Sequence, residues 1–161
     1  MKTLKNLLVI LSLLALLAAC APASTPAASQ GGIEVDQAVI RLPGGSMADM
    51  NMSDDTSLAG YMRITNNGAS DDSLVGIQAD FAGSSMLHQS SVDSNGVATM
   101  KMVMAIDIPA GQTVELKPGG FHAMFNNLKG NLKLGDMVML TLKFKNAGDI
   151  QVQAQVTDTD Q

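Results

Sequence analysis

The stretch "MVMLTLKFKNAGDIQVQAQV", Met137 to Val156, decides the fold class. Val138, Leu140, Leu142 and Phe144 alternate with Met137, Met139, Thr141, Lys143 and Lys145. Ile150, Val152, Ala154 and Val156 then alternate with glutamines. Successive side chains of an extended backbone point to opposite faces, so apolar residues at every second position describe a half-buried strand. Between the two runs, "NAGD", Asn146 to Asp149, is a hairpin turn signal. The pair reads as a C-terminal β-hairpin.

Working back along the chain, "IEVDQAVIRL", "AGYMRITN", "SLVGIQA", "SSMLHQSS", "VATMKMVMAI" and "QTVELK" are short runs, mostly separated by Gly, Asn, Asp or Pro. No long segment after residue 32 carries a helical period, and no internal repeat is evident. Many short strands at this spacing predict an all-β domain, an antiparallel sandwich or barrel. One irregular stretch, "PGGSMADMNMSDDTS" from Pro43 to Ser57, reads as an exposed loop.

The N-terminus has a different logic. Lys2 and Lys5 precede an apolar run of eleven residues, Leu7 to Leu17. A spanning helix needs about 20 residues, so the run reads as the core of a signal peptide. It ends in "LAAC", Leu17 to Cys20, which resembles the lipobox of bacterial lipoproteins. That resemblance implies removal of residues 1–19 and lipidation of Cys20. Several acyl chains exceed the two signals that stable anchoring requires, which predicts an extracytoplasmic protein, periplasmic or at the cell surface, tethered to a membrane. "APASTPAASQGG" lacks apolar bulk, so residues 20–32 are expected to form the lipidated end and a flexible tether. Residues 33–157 remain as one domain with one core. Without Lys2 and Lys5, eight basic residues face fifteen acidic ones, a net charge of −7. Such a balance argues against nucleic acid, whose binding rests on neutralising phosphates. Cys20 is the only cysteine, so the folded domain has neither thiol nor disulfide.

Chemistry concentrates around the two histidines. His88 lies in "SSMLHQSS" and His122 in "GGFHAMFNN". The turn "SVDSNG" follows His88, and a three-residue loop at Ser94 to Gly96, with Gly96 at positive φ, is a common hairpin geometry. In that register paired residue numbers sum to 190, so His88 faces Met102, with Met100 a diagonal neighbour within reach of long side chains. Met86 and Met104 share the face. His122 and Met124, two residues apart, point the same way if extended. Should that segment lie against the hairpin, two imidazoles and at least two thioethers converge into a soft nitrogen–sulfur site. Thioethers select Cu(I), which imidazole also suits, whereas zinc takes thiolate, imidazole or carboxylate. Outside the cytoplasm thiolates drift toward disulfides, and thioethers cannot form them. Methionine is also a common core filler, and Met62, Met137 and Met139 are read as packing or partly exposed residues.

At these residues the sequence resembles the PCu(A)C family of periplasmic copper chaperones. Its motif is a His, usually followed by Met, then ten residues, Met, twenty-one residues and His-x-Met. Here ten residues run from Ser90 to Thr99 before Met100, and twenty-one from Lys101 to Phe121 before His122 and Met124. The text "IPAGQTVELKPGGFHAMFNNLKGNLKLGDMVMLTLKF" is similar as well, as are "GYMRITNNGASDDSLVG" and "AGDIQVQAQV". The resemblance implies a cupredoxin-like Greek-key β-barrel holding one Cu(I) on His88, Met100, His122 and Met124. It further implies delivery of copper to the CuA centre of cytochrome c oxidase, with the apo-CuA subunit and thiol-containing assembly proteins as partners. Gln89 stands where the family usually has a second Met. Met86 and Met102 compete with Met100 as auxiliary ligands, and Met47, Met50 and Met52, beside Asp49, Asp54 and Asp55, form a loop without a counterpart in the motif, a candidate secondary copper site.

The same residues also suit a copper-sequestering resistance lipoprotein that buffers metal without a dedicated acceptor. Catalysis is not expected. Blue-copper electron transfer needs a cysteine ligand, and no Gly-x-Ser-x-Gly elbow of a serine hydrolase is present.

Overall fold

The computed structural model describes residues 28–42 and 56–158. Cys20 and the signal-peptide reading lie outside the described residues, as do Met47, Met50 and Met52. Eleven strands follow one another: β1 (Ala28–Gln30), β2 (Ile33–Arg41), β3 (Leu58–Asn66), β4 (Asp72–Ala79), β5 (Ala82–Val92), β6 (Ala98–Val103), β7 (Ile106–Ile108), β8 (Thr113–Leu116), β9 (Phe121–Leu128), β10 (Met137–Phe144) and β11 (Gly148–Thr157). The domain is all-β, as its patterning requires.

The C-terminal hairpin has the register its alternation demands. β10 and β11 pair antiparallel, with Leu140 opposite Val152 and Leu142 opposite Ile150, all buried. The turn falls at residues 145–147, and Gly148, at φ 80°, opens the return strand. Through the sheet the strand order is β6-β5-β9-β8-β3-β2-β11-β10-β4-β7. β11 joins β2 in parallel, so the last strand lies beside the first long one. Inward residues of every long strand meet in a single core, in which Phe81 and Phe125 pack with ring centroids 5.1 Å apart.

Two boundaries differ from the sequence reading. Ala28–Gln30, expected within the tether, pairs with β2, because Gly31 and Gly32 (φ 61° and 84°) form a two-residue turn that only a residue tolerant of positive φ adopts readily. The run "VATMKMVMAI" was expected as one strand and is two. β6 pairs with β5, whereas β7 pairs with the neighbouring β4 across a seam, and the chain crosses between them at Met104 and Ala105. Burial explains the break: β6 is exposed from Ala98 to Met102, while Ile106 and Ile108 enter the core.

Where β3 ends and β4 begins, buried polar groups lock the loops. Asn66 donates to the carbonyls of Ser70 and Ile108 and accepts from the Gly68 amide. Asp72 accepts from the amides of Ser73, Asn146 and Ala147. Burial pushes the Asp72 carboxyl up, but these amides together outweigh it and leave the group below the usual carboxylate range.

Candidate metal centre

Three adjacent strands build the site. In β5–β6 His88 faces Met102 and Ser90 faces Met100; in β5–β9 His88 faces His122 and Met86 faces Met124. Leu87, Ala123 and Phe125 point into the core. Period two therefore sends Met86, His88, Met100, Met102, His122 and Met124 to the opposite, outer face of this three-stranded surface. The hairpin that sets the register has the expected three-residue loop, with Gly96 at φ 80°. Asp93 Oδ1 accepts the amides of Asn95 and Val97 and closes it.

The two imidazoles meet edge to face, 5.7 Å between centroids. Met100, one register step along β6, reaches past the small Ser90 to bring its sulfur to 3.2 Å from His122 Nε2. His122 Nδ1 lies 3.1 Å from the Gly120 carbonyl oxygen. A carbonyl can only accept, so Nδ1 carries the proton, and in the neutral ring Nε2 is a bare lone pair. A thioether has no proton either. In that neutral form the short Nε2–sulfur approach holds no hydrogen between two lone-pair donors, which is the arrangement a soft cation would bridge.

His88 adds a second unused donor. Its Nδ1 is buried and makes no hydrogen bond. A buried polar atom left unpaired costs roughly 1–3 kcal/mol, so its retention calls for a partner. Burial, and secondarily the neighbouring His122, pushes the His88 pKa down. The ring is thus neutral at pH 7, with a lone pair free for a metal.

Of the four residues singled out by spacing, His88, His122 and Met100 come together directly. Met124 lies on the same face of β9, diagonal to His88 and across from Met86. Met102 faces His88 in the register, yet it is Met100 that contacts an imidazole. Gly120, which fixes the His122 tautomer, and Ser90, which clears the way for Met100, were not singled out from sequence. Strand parity alone would have found Ser90. Among the described residues, no three His, Cys, Asp or Glu side chains converge on a metal position. A metal at the histidine pair must therefore draw on thioether sulfur.

Residues 33–156 match the family model described as LpqE-like lipoproteins. The chain is 32% identical over 139 residues to a protein of Leifsonia xyli subsp. xyli named as lipoprotein Lxx21020, covering 86% of this chain and 77% of that one. It is similar to the solution structure of CuI-DR1885 from Deinococcus radiodurans, at 32% identity and a TM-score of 0.58, over 86% of this chain and 83% of the other. The copper-bound PCuAC domain from PmoF2 superposes with a TM-score of 0.65 at 22% identity, covering 83% and 99% of the two chains. The fold is the cupredoxin-like β fold of PCuAC domains.

Proposed function

The chain belongs to the LpqE-like lipoprotein family, and from that premise we propose that it is an extracytoplasmic Cu(I) carrier held to a membrane through Cys20. Its metal ligands are His88, Met100, His122 and Met124, and its acceptor is the CuA centre of cytochrome c oxidase. One observation carries the reading: two imidazoles face each other across β5 and β9, one with a proton-free sulfur against its Nε2, the other with a buried nitrogen that has no partner. Support comes from DR1885, solved in its CuI form.

Exposure suits release as well as capture. Met100 is 54% exposed, whereas His122 is 6% exposed. An incoming soft ligand meets the sulfur first, displaces it, and then takes the copper from the histidines one bond at a time. The metal stays monovalent throughout, and the neutral His88 ring has no proton to give up at its free nitrogen.

Titration of the mature protein with Cu(I) against a competing chelator tests this. One equivalent should bind tightly in the wild type, and the His122→Ala, Met124→Ala double variant should lose it. Equal affinity in the two proteins would end the copper reading. Incubation of the loaded protein with an apo-CuA domain, followed by absorption spectroscopy, separates a carrier from a copper-buffering lipoprotein, which would keep its metal.

A further inference from the structure

Where the chain crosses from β6 to β7 the barrel has a seam. β4 pairs with β7 only from Asp72 to Leu74, and β6 pairs only with β5. A cleft of about 220 Å³ opens between β4 and the β5–β6 pair, with Met86, Met102 and Met104 in its wall and Gly76 and Lys143 on the opposite side. Met102 stands directly opposite His88, and Met86 directly opposite Met124. The three thioethers are thus contiguous with the imidazole site and also line this cleft.

Packing does not account for them. Met102 is 58% exposed and Met104 81% exposed, so neither fills the core, the usual use of a flexible thioether. Three soft donors on one wall, without a competing carboxylate, are a ligand set for a soft monovalent ion. We propose that Met86, Met102 and Met104 form a second Cu(I) site, coordinated by sulfur alone, next to the histidine site. The proposal rests on the copper reading of that first site. Thioethers bring neither charge nor a proton to displace. Lys143, at the cleft, repels the cation, so this site is the weaker of the two and fills second. Met102 borders both spaces, which makes the cleft an entry position: copper captured there passes to His88 by exchange of one ligand at a time.

The mature protein carrying ¹³C-methyl methionine, titrated anaerobically with Cu(I) and followed by NMR, tests the idea. The first equivalent should shift the methyls of Met100 and Met124. The second should shift those of Met86, Met102 and Met104, with an affinity at least tenfold weaker. The Met86→Leu, Met102→Leu, Met104→Leu variant should lose the second step alone, and His88→Ala, His122→Ala should lose the first alone. The proposal is overturned if the three methyls stay unmoved at two equivalents, or if they move in step with Met100, which would make them ligands of a single site. Movement of the three without Met100 and Met124 would support the cleft and overturn the histidine site instead.

Discussion

His122 is buried and held by the Gly120 carbonyl, whereas the sulfur against it is half exposed on an edge strand. Removing these two groups should therefore have different consequences. Met100→Leu keeps the apolar volume and deletes only a donor, so the fold should be unaffected. Loss of an outer hydrogen-bond partner of a metal ligand already costs roughly 10–100-fold in affinity; loss of the Met100 sulfur itself should cost at least as much. Met102→Leu should leave first-equivalent affinity within about threefold, since its sulfur is not the one at the imidazole; chelator competition on both variants checks the contrast, and equal losses would reverse the assignment. Position 89 gives a second test of strand parity. Gln89 lies one residue from His88 in regular β5, facing Lys101 and Phe121 in the register. A side chain there points to the other face of the sheet. Gln89→Met should thus leave Cu(I) affinity unchanged within about twofold, although the family pattern usually carries Met there; a large gain, read by the same competition, would show that the strand is not regular at His88.

The β5–β6 hairpin extends the sheet at an edge, and among the described residues β6 has no second neighbour. Little apolar burial holds it, so its integrity depends on the turn. Asp93 satisfies two loop amides that Asp93→Ala would leave to water. Hydrogen exchange should speed up at Ala98–Val103 in that variant by about fivefold to thirtyfold, matching a local loss of roughly 1–2 kcal/mol, while the core strands β2, β3 and β11 exchange as before. Uniform acceleration across the domain would instead make the hairpin part of the global unfolding unit. This hairpin also shows how far sequence alone could be read. Its register, its three-residue loop and the facing of His88 and Met102 all follow from Gly96 and period two, as the alternation of Leu140, Leu142, Ile150 and Val152 dictates the last two strands. The placement of β9 against β5, which brings His122 to His88, does not follow from local pattern: it is a pairing over more than thirty residues, fixed by a core in which Ala123 and Phe125 pack beneath it. For the same reason the break at Met104 was hidden. An alternating run continues through it, and only the competition between the β5 edge and the β4 edge decides where one strand stops and the next begins.

Across the whole molecule, the proposed metal site and the proposed anchor make opposite demands, one needing a rigid frame and the other a leash. Asp72 secures the frame by joining the start of β4 to the β10–β11 turn. Its carboxyl lies below the ordinary range, near 3.9 for a free aspartate, so the unfolded chain takes up the proton first as acid is added. The contribution is whole above that range and is lost as pH falls through it toward the folded value. Urea unfolding at pH 6 should show Asp72→Ala less stable by about 1–3 kcal/mol, with the gap to wild type narrowing toward pH 3; a gap independent of pH would remove the amide-bound carboxylate as its cause. The leash is shorter than composition suggested, because pairing begins at Ala28. Seven residues separate Cys20 from that strand, and even fully extended they reach at most about 25 Å. An anchor at Cys20 would then confine the processed chain, of net charge −7, within a few Debye lengths of the bilayer, about 8 Å each at physiological salt, where the proposed acceptor would also reside. If acyl chains on Cys20 supply that confinement, Cys20→Ser should move the protein from the membrane pellet to the soluble fraction while its Cu(I) stoichiometry stays that of the wild type. A variant that still sediments with membranes would place the anchor elsewhere, and one that binds less copper would mean that the leash contributes to the site.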